Sequence, residues 1–203
     1  PDLLRVLWDS GVTHYDVASI AEVRLVARTL PAAVLCFMHP VKAEEAIAEA
    51  YFTHGVRTFS LDSMTELSKL SLAAKFGAEP DEVADLLMAA RQASDGLGIC
   101  FHVGSQAMTP HAFAAAMERV RAAIVAAAVT VDIVDVGGGF PSTYPGMEPP
   151  PLGAYFDTIH RAFESLPISY SAELWCEPGR ALAAEYSSLI VRVEKQRGNE
   201  LYI

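Results

Sequence analysis

Short apolar runs alternate with amphipathic stretches along most of the chain. Leu3, Leu4 and Leu7 share one face of a helix that reads as entered midway, so the chain is expected to begin inside a domain. His14-Tyr15-Asp16-Val17-Ala18-Ser19 predicts a strand end, and Ile20, Val23, Val26 and Ala27 then follow at helical spacing up to Leu30. Val34–Met38 predicts a second strand, stopped by His39-Pro40. Glu44–His54 predicts a helix closed by Gly55, because glycine tolerates the left-handed turn that ends many helices. Thr58–Leu61 predicts a third strand, and Ser63–Leu70 starts another helix.

The rhythm then breaks. Pro80–Ser94 is helical in pattern, yet Ser71–Gly77 shows neither alternation nor β-branched residues, so no strand separates two successive helices. Beyond the break it resumes, with strands expected at Gly98–Val103, Val131–Val136 and Ala172–Cys176. Helices are expected at Pro110–Ala128 and Leu152–Leu166. After Arg180 the period changes to two, with Leu189, Val191 and Val193 on one side and a turn at Gly198-Asn199.

Repeated βα units with apolar strands predict an α/β fold, a parallel sheet covered by helices. An open doubly wound sheet and a closed (β/α)8 barrel both satisfy the pattern. Six visible strands, one lost at the break and one before Pro1 make eight, which favours the barrel. Residues 1–180 are therefore expected to form an incomplete barrel, and 181–203 to begin a C-terminal antiparallel β domain.

Composition narrows the partners. A net charge of −10 without a Lys/Arg cluster argues against nucleic acid. No apolar run reaches the roughly 18 residues that a membrane span needs. Cys36, Cys100 and Cys176 are odd in number and widely spaced, which fits reduced, buried thiols in a cytoplasmic protein better than disulfides or a metal site.

Polar and glycine residues collect at the strand ends, which share one rim in a barrel. Gly137-Gly138-Gly139 lacks the pattern of a dinucleotide or Walker loop, and reads either as a plain turn or as backbone N–H groups facing a phosphate. Gly179-Arg180 at the next strand end favours the phosphate, since a guanidinium makes charged hydrogen bonds to it. Glu177 on that strand end could hold a protonated pyridine nitrogen. His102 closes a strand, where it reads as a structural histidine or as a ring lying over a flat cofactor.

Four motifs occur in order: Asp16-Val17-Ala18-Ser19 with Glu22, Phe101-His102-Val103-Gly104-Ser105, Asp135–Pro141, and Glu177-Pro178-Gly179-Arg180. Together they resemble the fold-type III decarboxylases dependent on pyridoxal 5′-phosphate (PLP), which act on ornithine, lysine, arginine or diaminopimelate. Gly137-Gly138-Gly139-Phe140-Pro141 and Phe37–Lys42 look closest to the bacterial ornithine branch. The resemblance implies a lyase that converts L-ornithine to putrescine and CO2 in polyamine biosynthesis. Lysine or diaminopimelate as substrate, or a non-catalytic regulatory relative, are the alternatives. It implies PLP as cofactor and a homodimer with a shared active site. His102, Ser105, Gly137, Gly138, Gly139, Glu177, Gly179 and Arg180 would bind the cofactor. His102, Glu177, Asp16 and Glu22 would serve catalysis, the last two near the anchoring lysine.

That lysine belongs to the family's first barrel strand and is expected upstream of Pro1. Lys42 and Lys75 fall in family segments that do not anchor the cofactor. The family's strand with an active-site arginine is expected between Leu70 and Ser71, which predicts a chain break there.

Overall fold

The computed structural model describes residues 2–64, 78–186, 192–198 and 200–202. A first array holds α1 (Asp2–Asp9), β1 (His14–Val17), α2 (Ile20–Thr29), β2 (Val34–Phe37), α3 (Glu44–His54) and β3 (Thr58–Phe59). A second holds α4 (Val83–Ala93), β4 (Gly98–Cys100), α5 (His111–Ala127), β5 (Ile133–Asp135), α6 (Leu152–Glu164), β6 (Glu173–Trp175) and the short α7 (Gly179–Ala183). The strands form two parallel three-stranded sheets in chain order, β1-β2-β3 and β4-β5-β6. An antiparallel hairpin, β7 (Lys195–Arg197) and β8 (Glu200–Tyr202), turns at Gly198.

Strand periodicity divides each sheet into two chemically distinct faces. Tyr15, Val17, Leu35 and Phe37 turn toward the helices and join Val23, Val26 and Ala50 in one buried cluster. Val134 and Val136 do the same in the second array, under Phe113, Met117, Ile124, Tyr155 and Ile159. Burying each such side chain contributes about 1.5–3 kcal/mol, which fixes the strands in register. The alternate positions carry polar groups. Asp16 pairs in register with Cys36, and Cys100 with Asp135. These strands are thus apolar on one face only. His14 and Trp175 bring β1 beside β6, their rings 5.1 Å apart.

Helix ends follow local chemistry. Gly55 adopts φ +71°, and its N–H bonds to the Ala50 carbonyl, closing α3 as its position suggests. Ser19 caps α2 by accepting the Glu22 N–H at 3.3 Å, and Glu22 Oε2 accepts the Ala18 N–H at 2.6 Å.

Several elements differ from expectation. The stretch expected as a strand to Val103 leaves the sheet after Phe101, whose N–H makes a last rung to the Asp135 carbonyl at 3.1 Å. Gly179–Ala183 is helical where alternation was expected to begin nearby, so a helical turn continues past the strand end. Cys36 is buried, but Cys100 and Cys176 are exposed. These two thiols leave the packed clusters, which corrects the expectation of three buried hydrophobes. The junction Leu70–Ser71, most of Ser63–Leu70, and Leu189 and Val191 lie outside the described residues.

Candidate active site

The site starts from the end of β5. Asp135 is the buried carboxylate among the described residues, and its Oδ1 accepts the Gly137 N–H at 2.9 Å. That bond bends the chain at once into a left-handed turn, with φ +64° at Gly137 and +91° at Gly139. Side chains are excluded at Gly137 and Gly139 and crowded at Gly138. A Cβ on Gly137 would overlap the Phe101 carbonyl, and one on Gly139 would overlap the Gly104 carbonyl. At Gly138 it would stand 3.0 Å from the Glu177 carbonyl oxygen and 3.2 Å from His102 Nε2. Phe140 then plunges under the loop, stacked on Phe113 at 4.9 Å, and anchors the turn to α5.

A cleft of about 260 Å³ opens above this turn, lined by His102, Ser105, Gln106, Gly138, Gly139, Phe140, Glu177, Gly179 and Arg180. The triple-glycine turn and the guanidinium therefore share one cavity. Within the described residues, the N–H groups of Gly138 and Gly139 find no acceptor. The Gly137 N–H goes to Asp135, and the Gly179 N–H to the Glu177 carbonyl at 2.9 Å. Two of the three glycine amides are thus unengaged and available to a ligand, where sequence reasoning assigned all three. Arg180 Nη1 donates to the Tyr144 hydroxyl at 3.4 Å, a long bond that a stronger acceptor would displace. Two free amides beside a guanidinium form a site able to hold an oxyanion.

His102 is oriented by its own loop. Nδ1 accepts the Gly104 N–H at 2.9 Å, which leaves the proton of a neutral ring on Nε2, beside Gly138. Glu177 is tied to the glycine turn by its backbone N–H, which donates to the Gly137 carbonyl at 2.8 Å. Desolvation, followed by the charges of Asp135 and Asp16, pushes the Glu177 carboxyl up to about 8. Desolvation also raises Asp135, against the bond it accepts from Gly137. Each carboxyl resists the ionisation of the other, so near neutral pH the pair retains a proton. Asp16 is pushed up to about 6 by desolvation, then by Asp135 and Glu22. Asp16, Asp135 and Glu177 therefore act on one another's charge, a field that attracts cationic groups.

Not every expected residue reaches the cleft. Gly137 supports it from behind, and Asp16 contributes charge without lining it. Glu22 is spent on capping α2. Lys42 is buried, and its ammonium donates to the carbonyls of His39, Pro40 and Ser60 at 2.8, 3.2 and 2.6 Å. It braces the loop after β2. Sequence reasoning assigned no role to Asp135 or Gln106. An aspartate directly before a glycine run was the available signal for the first, since such a carboxylate can cap the turn.

The family model for the pyridoxal-dependent decarboxylase pyridoxal-binding domain matches residues 1–75 and 71–184. The two matched segments meet where the βα rhythm breaks. The chain is 28% identical over 229 residues to a lysine/ornithine decarboxylase of Selenomonas ruminantium, covering 98% of this chain and 57% of the relative. It is 30% identical over 221 residues to the ornithine decarboxylase of Panagrellus redivivus, covering 94% and 50%. The crystal structure of SrLDC in complex with PLP and cadaverine superposes with a TM-score of 0.77 at 30% identity, over 90% of this chain and 52% of that one. The chain spans about half the length of the curated relatives it matches.

Proposed function

The chain belongs to the pyridoxal-dependent decarboxylase family, through its pyridoxal-binding domain, and from that premise we propose that the whole protein decarboxylates a basic amino acid. PLP is the family's cofactor, and the cleft fits it on this structure's own terms. Two unengaged glycine amides share the cleft with a guanidinium, and a Cβ on Gly138 would crowd the Glu177 carbonyl and the His102 ring. That convergence is the observation that carries the reading.

In this assignment Gly138, Gly139, Arg180 and Ser105 hold the phosphate, while Gly137 and Gly179 shape the backbone around it. His102 lies along the ring, with Gly104 fixing its orientation. Glu177 pairs with the ring nitrogen, and Asp135 keeps a proton available at the Glu177 carboxyl. Asp16 adds to the same negative field, and Glu22 acts on Asp16 through charge while holding α2 in place. The bound cofactor supplies an electron sink for the bond to CO2.

We assign the two parallel arrays to one (β/α)8 barrel, supported by the His14–Trp175 contact and by the charge shared among Asp16, Asp135 and Glu177. L-Ornithine, giving putrescine, is the leading substrate, with lysine next because the Selenomonas relative is named for both. A cytoplasmic homodimer completes the proposal. The test is CO2 release by the whole protein with PLP, run side by side on L-ornithine, L-lysine and diaminopimelate. Turnover of ornithine above the other two is expected, and release from none of them would overturn the proposal.

A further inference from the structure

Gln106 is one of two non-glycine residues with positive φ among the described residues, at +58°. A side chain in that conformation is disfavoured unless its surroundings hold it there. What holds it is a reciprocal amide pair. Gln106 Nε2 donates to the Ser142 carbonyl at 2.5 Å, and Oε1 accepts the Ser142 N–H at 3.1 Å. The side chain thereby does for Ser142 what a neighbouring strand would do, bonding both of its backbone groups. The adjacent Ala107 N–H donates to the Gly139 carbonyl at 2.9 Å. Ser142 Oγ then donates to the Arg180 carbonyl at 3.1 Å, so three loops from three strand ends are laced together.

The free amides of Gly138 and Gly139 lie on the chain between two anchors, Asp135 before them and Ser142 after them. Asp135 fixes the entry to the turn, and Gln106 fixes its exit. We propose that Gln106 is a positioning residue, which holds the glycine amides and Arg180 in one constellation matched to a phosphate monoester. It acts through Ser142 and its amide stays engaged there. This inference rests on the PLP reading of the same cleft and deepens it. Glutamine suits the role because it presents a donor and an acceptor at one reach. Alanine presents neither, and glutamate would set a carboxylate against the Ser142 carbonyl.

The test compares PLP with pyridoxal, which lacks the phosphate, on the whole protein and on its Gln106→Ala, Gln106→Met and Gln106→Glu variants. Losing two hydrogen bonds should weaken PLP binding roughly tenfold to a hundredfold, while pyridoxal affinity stays within about twofold. Gln106→Met keeps length and packing, so its PLP loss should match that of alanine. Gln106→Glu should lose at least as much. Equal losses for both ligands, or unchanged PLP affinity, would overturn the assignment and leave the cofactor reading standing. A parent protein that binds neither ligand would remove that reading and this inference together.

Discussion

Alanine at Gly137 is expected to damage the fold far more than alanine at other left-handed glycines. Gly137 has φ +64°, and a left-handed conformation costs a residue with a Cβ about 1–2 kcal/mol. The added carbon would also overlap the Phe101 carbonyl oxygen, a backbone atom that cannot swing away. Relief requires β4 and β5 to part at their ends. That parting breaks the two bonds that cross between the segments, Phe101 N–H to the Asp135 carbonyl and Ala107 N–H to the Gly139 carbonyl. At about 1 kcal/mol for each bond, the whole loss is on the order of 3–4 kcal/mol, a large share of a typical domain's stability. Gly55 is the control, because its φ is +71° and a Cβ there meets nothing within 4 Å. Gly55→Ala should therefore pay only the conformational penalty. Gly138→Ala is a third case, since it carries no positive φ and a Cβ would be 3.0 Å from the Glu177 carbonyl. It should fold nearly normally and lose PLP. By thermal unfolding of the whole protein, Gly55→Ala should lower Tm by roughly 2–8 °C and Gly137→Ala by roughly 6–16 °C, about twice as much or more. Equal melting of these two variants would refute the steric argument.

Two further outcomes follow from buried charge. Glu177 keeps its proton in the fold up to about pH 8, whereas the unfolded chain releases it near the ordinary value of 4.5. The folded state thus binds more protons in that window, and stability of the cofactor-free protein should fall as pH rises through it. Denaturant midpoints between pH 6 and 9 would check this, with Glu177→Gln flattening the slope and a rising slope contradicting it. Lys42→Met should destabilise by about 2–4 kcal/mol, because three carbonyls lose their donor, yet leave PLP binding in place. Loss of PLP from a folded Lys42→Met protein, read by cofactor absorbance, would show that the lysine does more than brace its loop.

Helix positions were legible because their signals are local. Gly55 ends α3 where expected, and the apolar spacing of α2 predicts its buried Val23 and Val26. Strand extents were less legible. The run Gly98–Val103 is mostly apolar, but the strand ends at Cys100, and the Phe101 and Val103 side chains serve the loop and its packing. Gly179 was expected to bind the phosphate, yet its N–H turns back to Glu177 and a short helix starts there. The motifs led to the cleft itself, since His102, Ser105, Gly138, Gly139, Glu177 and Arg180 all line it. Which amides are free, and that Glu22 serves a cap, depend on hydrogen bonds between residues that spacing alone does not pair. Gln106 was invisible for the same reason, because its partner lies 36 positions away.

The most direct measurement is a crystal structure of the whole protein with PLP bound. The phosphate should lie within hydrogen-bonding distance of the Gly138 and Gly139 N–H groups and of Arg180, with the ring nitrogen against Glu177. A phosphate seated elsewhere, with those two amides still facing solvent, would contradict the account.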